Sequence, residues 1–286
     1  MRPHDLVVLL VGMLGIAGLL NEAARAAPGI RSSSRQESRD QLPPLPLERL
    51  APQVRQEVQE VLQRPSLTTH GPVETFSCQP GMYFWLLDHP QQAALLWRQL
   101  GAKVVDIVDL GGSFLWRDEA GSEVHWEAVW RGTRERIWFA KGKVRPGRFW
   151  PLVSVRVVAI LEHTQGWTSM GQSAIRQQIH LVLHADSRAV SLATKLLGAS
   201  VPGMAKQYAR QVGLFFGALA WYLDRNPNRG DALFRAAGVP RPIFESGVRK
   251  KDGLPRGYPI FRPPSSPLTE PPRPDIHSLP EQRFHP

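Results

Sequence analysis

The stretch Ser187–Arg225, SRAVSLATKLLGASVPGMAKQYARQVGLFFGALAWYLDR, decides the fold. Val190, Ala193, Leu197, Val201, Met204, Tyr208, Val212, Phe215, Leu219 and Tyr222 recur in it at spacings of three and four, which draws one apolar stripe along a helix. Gly198, Pro202 and Gly203 interrupt the stripe. Proline lacks the amide donor and collides with the preceding turn, so the pattern predicts a short helix, a break, and a longer helix from about Met204. Asp186 or Ser187 suits the N-cap, and Asn226-Pro227 with Gly230 supplies the stop. A stripe of this length must be buried against something, and the segments before it have the period of a sheet.

Upstream, apolar residues alternate. Lys103–Leu110 is mainly apolar, Gly111-Gly112 turns the chain, Ser113–Arg117 alternates, and Asp118–Ser122 reads as a hairpin loop. Val124, Trp126, Ala128 and Trp130 share one predicted face, opposite Glu123, His125, Glu127 and Val129. Gly132-Thr133 leads into Glu135–Val144, with Ile137 and Phe139 on one side. Val153, Val155, Val157, Ala159 and Leu161 share a face of the next strand. Ile175, Gln177, Ile179, Leu181 and Leu183 share a face of the one after, against Arg176, Gln178, His180 and His184. With Val73–Cys78 at the start, this gives six or seven strands joined mostly by short turns, hence a curved antiparallel sheet with one apolar face. Leu47–Leu62 reads as a helix. Met82–Leu87 and Gln91–Leu100 read as two more, separated at Asp88-His89-Pro90 because the residue before a proline is pushed out of the helical region. The expected class is α+β, a curved sheet packed on a long C-terminal helix.

The chain ends differ from its middle. Arg2, the uncharged run Leu6–Leu20 and Ala24-Arg25-Ala26 fit an export signal over residues 1–26, cut before Ala27. This predicts a periplasmic, cell-envelope or secreted protein, anchored to the membrane if the signal is retained. Residues 27–46 are Ser/Arg/Gln-rich and then proline-rich, as in a flexible spacer. Residues 47–228 hold the folded domain, and residues 229–286 read as a proline-rich tail with the basic cluster Arg249-Lys250-Lys251. Cys78 is the only cysteine, which excludes an internal disulfide and cysteine-based metal sites; it reads as a small buried apolar group.

The order strand, two short helices, antiparallel strands, long helix resembles the helix-grip fold of the START and polyketide-cyclase-like (SRPBCC) superfamily. The resemblance is carried by Val73–Cys78, by Phe84-Trp85-Leu86-Leu87-Asp88-His89-Pro90, by the strands of Lys103–Leu183 and by Met204–Leu223. It implies a cavity between sheet and helix that takes a hydrophobic small molecule or lipid. Trp126, Trp130, Phe139, Val155 and Leu181 are the expected lining from the sheet, with Met204, Tyr208, Val212, Phe215 and Phe216 from the helix. Each of these residues also suits a plain packed core, and a structural envelope protein with a solid core is the alternative expectation.

The formal net charge of +10 suits contact with an anionic membrane surface or wall polymer. No Lys/Arg block is interleaved with aromatics, so nucleic acid is not expected. The sequence has no Gly-x-Ser-x-Gly elbow, phosphate loop or His-Glu-x-x-His helix, so no catalytic residue, metal or cofactor is expected. An enzyme would have to use His125 and Glu127, two apart on one strand face. His180 and His184 are separated by about 13 Å of strand, too far for one metal, and His163 reads as a residue at a strand end.

Overall fold

A computed structural model of the chain describes residues 42–102, 104–118, 121–145, 152–185, 201–244 and 260–261. A 3-10 turn at Leu47–Arg49 precedes helix α1 (Pro52–Gln63) and strands β1 (Leu67–His70) and β2 (Glu74–Ser77). Helices α2 (Pro80–Asp88) and α3 (Pro90–Gln99) follow, then β3 (Ile107–Asp109), β4 (Ser113–Arg117), β5 (Glu123–Arg131), β6 (Glu135–Val144), β7 (Val153–Thr168) and β8 (Ser173–Ala185). The chain continues through α4 (Val201–Arg225), α5 (Pro227–Ala236) and the short β9 (Ile260–Phe261).

Consecutive strands β3 to β8 pair antiparallel as neighbours, and β1 closes the order β1-β8-β7-β6-β5-β4-β3. β2 also pairs β8, further along that strand. The sheet is curved and grips a long C-terminal helix, the helix-grip arrangement of the α+β class. Helix α4 packs on β1, β8 and β2 and is flanked by α2, α3 and α5.

Both faces of the central strands are covered. On the inner face, Ala159, Leu161, Ile179 and Leu181 form one core with Ala209, Val212, Phe215, Leu219 and Leu223 of α4 and the apolar sides of α2 and α3. On the outer face, Ile137, Phe139, Val158, Ile160 and Val182 pack against Val58 and Val61 of α1. Each fully buried side chain of this size is worth about 1.5–3 kcal/mol relative to exposure, so both layers are substantial.

Glycine sets how closely α4 approaches. A Cβ on Gly217 would lie 2.3 Å from Phe76 Cε2, and one on Gly213 would lie 2.7 Å from Gln177 Nε2 and 2.9 Å from Glu74 Oε2. The two glycines are one turn apart on one helix face, and they let α4 lie directly on β2 and β8.

Several elements differ from the sequence expectation. The long helix begins at Val201, three residues before the expected Met204, and Pro202 is its second residue, where a missing N–H is no loss. Residues 187–200, the expected short first helix, lie outside the described residues. β1 is an unforeseen strand, and the strand expected over Lys103–Leu110 is reduced to Ile107–Asp109. His163 is not at a strand end, since β7 runs five residues further, to Thr168. Leu42 and Leu45, within the expected spacer, pack on the outer core. Phe234 of α5 and Val239 join the inner core, and Phe261 is buried where β9 pairs parallel with Trp167-Thr168. The folded part therefore extends past residue 228. Among the described residues, no helix is long and apolar enough to cross a membrane; the run Leu6–Leu20 lies outside them.

Candidate ligand-binding face

Cross-strand register assigns each side chain to a face, because alternate residues point to opposite sides. Val155 and Ala185 are directly paired, as are Gly142 and Val155, Ala140 and Val157, and Trp126 and Ala140. These residues share the inner face with Leu181 and Leu183. Trp116, Val124, Val144, Val153, Val155 and Ala185 form a buried apolar cluster at one end of that face, and Trp126, Ala140 and Leu183 pack against it half-buried. Helix α4 sits chiefly over β1, β2 and β8, so the described helices leave Trp126, Trp138, Ala140 and Leu183 only partly covered. This partly covered apolar strip of the inner face beside the helix is the candidate trough. Its aromatic wall includes Trp126 stacked obliquely on Phe114, with ring centroids 5.5 Å apart. One polar handle lies in this region: Trp116 Nε1–H is buried with no acceptor among the described residues. A buried donor without a partner is costly, so an acceptor arriving with a ligand would be favoured there.

The expected lining residues do not all converge. Trp126, Val155 and Leu181 lie on the inner face, and Val212 and Phe215 are buried under α4 in the inner core. Phe216 packs at the edge of that core, its ring 4.9 Å from Phe215 and perpendicular to it. Tyr208 is half-buried on α4; Met204 is a residue of α4 whose side chain lies outside the description. Trp130 and Phe139 belong to the outer face. A bulge in β5 between Ala128 and Trp130 inserts Val129 and turns Trp130 over. Its indole N–H donates to Glu135 Oε1 at 2.8 Å, and the Arg49 guanidinium lies over its ring at 5.6 Å. Phe139 is on the outer face by parity and packs in the core under α1.

The sequence missed a buried polar cluster at the other end of the inner face. Gln177 pairs directly across from His163, and Tyr83 on α2 donates its hydroxyl to Gln177 Oε1. His163 is only 3% exposed, packs edge-on against Phe84 at 4.9 Å, and has no hydrogen-bond partner at either ring nitrogen among the described residues. Burial, with the nearby Arg136 charge, lowers its pKa to about 4, so the ring is neutral at pH 7. Arg136 donates to Asp88 through both of its Nη nitrogens, with Nη2–Oδ2 at 3.1 Å. Burial works to raise the Asp88 carboxyl, but Arg136 and Arg131 outweigh it and hold the pKa below the usual range. Glu74 is shifted the other way: burial raises its carboxyl against the pull of Arg210. Eight residues of β7 separate His163 from Val155, about 26 Å of strand, so this cluster lies well away from the trough.

Other sequence candidates are placed plainly. His125 hydrogen-bonds Glu123 at 3.1 Å, on the outer face, and its bonded partner is not Glu127. His180 meets Glu162 at 2.9 Å, and His184 Nδ1 meets the Arg64 carbonyl at 2.7 Å. Cys78 is buried, and burial pushes its thiol up, away from the reactive thiolate. No group of three or more metal-ligating side chains occurs among the described residues.

No family model matches the chain, and no curated protein matches it. Among solved structures, a conserved protein from Geobacillus kaustophilus aligns with 55% of this chain and 97% of its own, at 10% identity and a TM-score of 0.38. A truncated norcoclaurine synthase from Thalictrum flavum aligns with 52% of this chain and 93% of its own, at 10% identity and a TM-score of 0.30. The di-domain ARO/CYC BexL matches 64% of this chain at 17% identity and a TM-score of 0.27; the match spans about half of its length, 54%.

Proposed function

We propose that this chain is an exported binding protein for a hydrophobic small molecule or lipid, held on the inner face of the sheet beside α4, and that it belongs to the START-like helix-grip group. One observation carries the binding reading: Trp126, Trp138, Ala140 and Leu183 form an apolar surface that the described helices leave half-open. Apolar side chains left accessible in a concave face are the usual lining of a small-molecule site. The Trp116 N–H, which has no acceptor among the described residues, suits a ligand that is mostly hydrocarbon with one hydrogen-bond acceptor. Export rests on Leu6–Leu20 and Ala24-Arg25-Ala26 and is tested by fractionating cells that make the tagged full chain.

The binding test is titration with a neutral, environment-sensitive dye such as Nile red. The wild-type chain is expected to bind it, Leu183→Arg to lose binding, and Trp130→Ala, on the outer face, to retain it. Equal binding by all three proteins would reject the inner face as the site and favour a solid scaffold.

A further inference from the structure

The outer face carries a second feature, independent of the trough. His125 on β5 is directly opposite Lys141 on β6, Lys141 is directly opposite Arg156 on β7, and Arg156 is directly opposite His184 on β8. Four basic side chains thus form one row across four neighbouring strands, about 14 Å long at the normal strand spacing. Beside it Lys143 faces Ser154 across β6 and β7. Lys141 and Arg156 are like charges placed directly opposite one another, which destabilises a sheet, so this pair needs compensation. Helix α1 provides part of it: Glu57 binds Lys141 at 3.0 Å and Glu60 binds Arg156 at 2.6 Å. Glu123 is shared between Arg117 at 2.6 Å and His125 at 3.1 Å. Lys143 is exposed and makes no ion pair among the described residues. His125, Lys141, Lys143, Ser154 and Arg156, together with the Glu123 carboxylate opposite Lys143, line a groove of about 750 Å³.

We propose that this groove binds a phosphate-bearing anion, seated on Lys143, Ser154 and Arg156. A phosphate offers several strong acceptors to an ammonium, a hydroxyl and a planar guanidinium fork, and Arg156 retains donors beyond the Nη1 that Glu60 takes. The phosphate can come from an anionic lipid headgroup or from a free phosphate ester, and the two are separable by experiment.

The test is calorimetric titration of the full chain at low ionic strength. The titrants are glycerol phosphate, short-chain phosphatidylglycerol below its micelle concentration, and acetate. The variants are Lys143→Gln and, as a control of equal charge change, Lys206→Gln on the exposed side of α4. At least one phosphate titrant binds; Lys143→Gln weakens it about tenfold, the loss expected for a hydrogen bond to a charged group, and Lys206→Gln weakens it less than twofold. Binding of glycerol phosphate as tight as the lipid identifies a free ester as the source, and binding of the lipid alone identifies the headgroup. No binding of either, equal loss in both variants, or acetate binding as tightly as phosphate overturns the proposal. Unchanged melting temperatures in both variants show that the loss is not unfolding.

Discussion

Replacing His163 with leucine should remove a defined share of this protein's acid sensitivity. In the folded chain the ring titrates at about 4, against about 6.5 in an unfolded chain. The folded state therefore binds the proton less readily, so this group's stability is fully present above pH 6.5 and is lost as pH falls towards 4. A difference of about 2.5 pKa units corresponds to about 3 kcal/mol in total, of which about 2 kcal/mol is gone by pH 5. Asp88 and Glu74 also change stability with pH, in opposite senses: Asp88, lowered in the fold, loses stability as pH falls, and Glu74, raised, gains it. Both act in the parent and in the variant, so the difference between the two isolates His163. The assay is urea unfolding at pH 7 and pH 5. The parent should lose about 2 kcal/mol more than His163→Leu over that interval. Equal losses would refute the claim that His163 is held neutral by burial beside Arg136, and would point to an unseen partner for its ring.

Other outcomes follow from the same geometry. Gly217→Ala forces Phe76 away from the helix and should cost about 1–3 kcal/mol in urea unfolding, whereas Gly203→Ala, whose Cβ meets nothing within 4 Å, should gain about 0.5–1 kcal/mol. Asp88→Asn strips the buried Arg136 of its carboxylate and should cost about 1–3 kcal/mol, less than a fully buried pair because Asp88 is partly solvated. Lys141→Ala breaks an exposed pair with Glu57 and a cation–π contact with Phe139 at 5.9 Å, and should cost about 1 kcal/mol by the same measurement.

The stripe of α4 from Tyr208 to Tyr222 and the run of antiparallel strands were legible because their periods differ clearly. The facing of individual strands was less so. In Glu135–Val144 both parities are apolar, Ile137 and Phe139 on one side and Trp138 and Ala140 on the other, because α1 covers the outer face while the inner face meets the main core. Period alone cannot orient such a strand, which is why Phe139 was expected inside. Trp130 was misplaced for a different reason: one bulge residue, Val129, reverses everything after it, and nothing in the local composition marks the insertion. β1 has one apolar residue in Leu67–His70 and forms because β8 offers it a partner edge. The basic row is invisible in sequence, since its members become neighbours only through the register of four strands. His163 showed no partner in the sequence, and its oddity appears only once α2 and Phe84 bury it.

An apolar ligand held on the inner face would travel with the protein through a detergent-free purification. Native mass spectrometry of the full chain, purified without detergent from its own host, tests this most directly. A bound species that extracts into organic solvent and is absent from Leu183→Arg is expected; a mass equal to the chain alone, in a protein that also fails to take up a neutral apolar dye, would show that the inner face holds no such ligand.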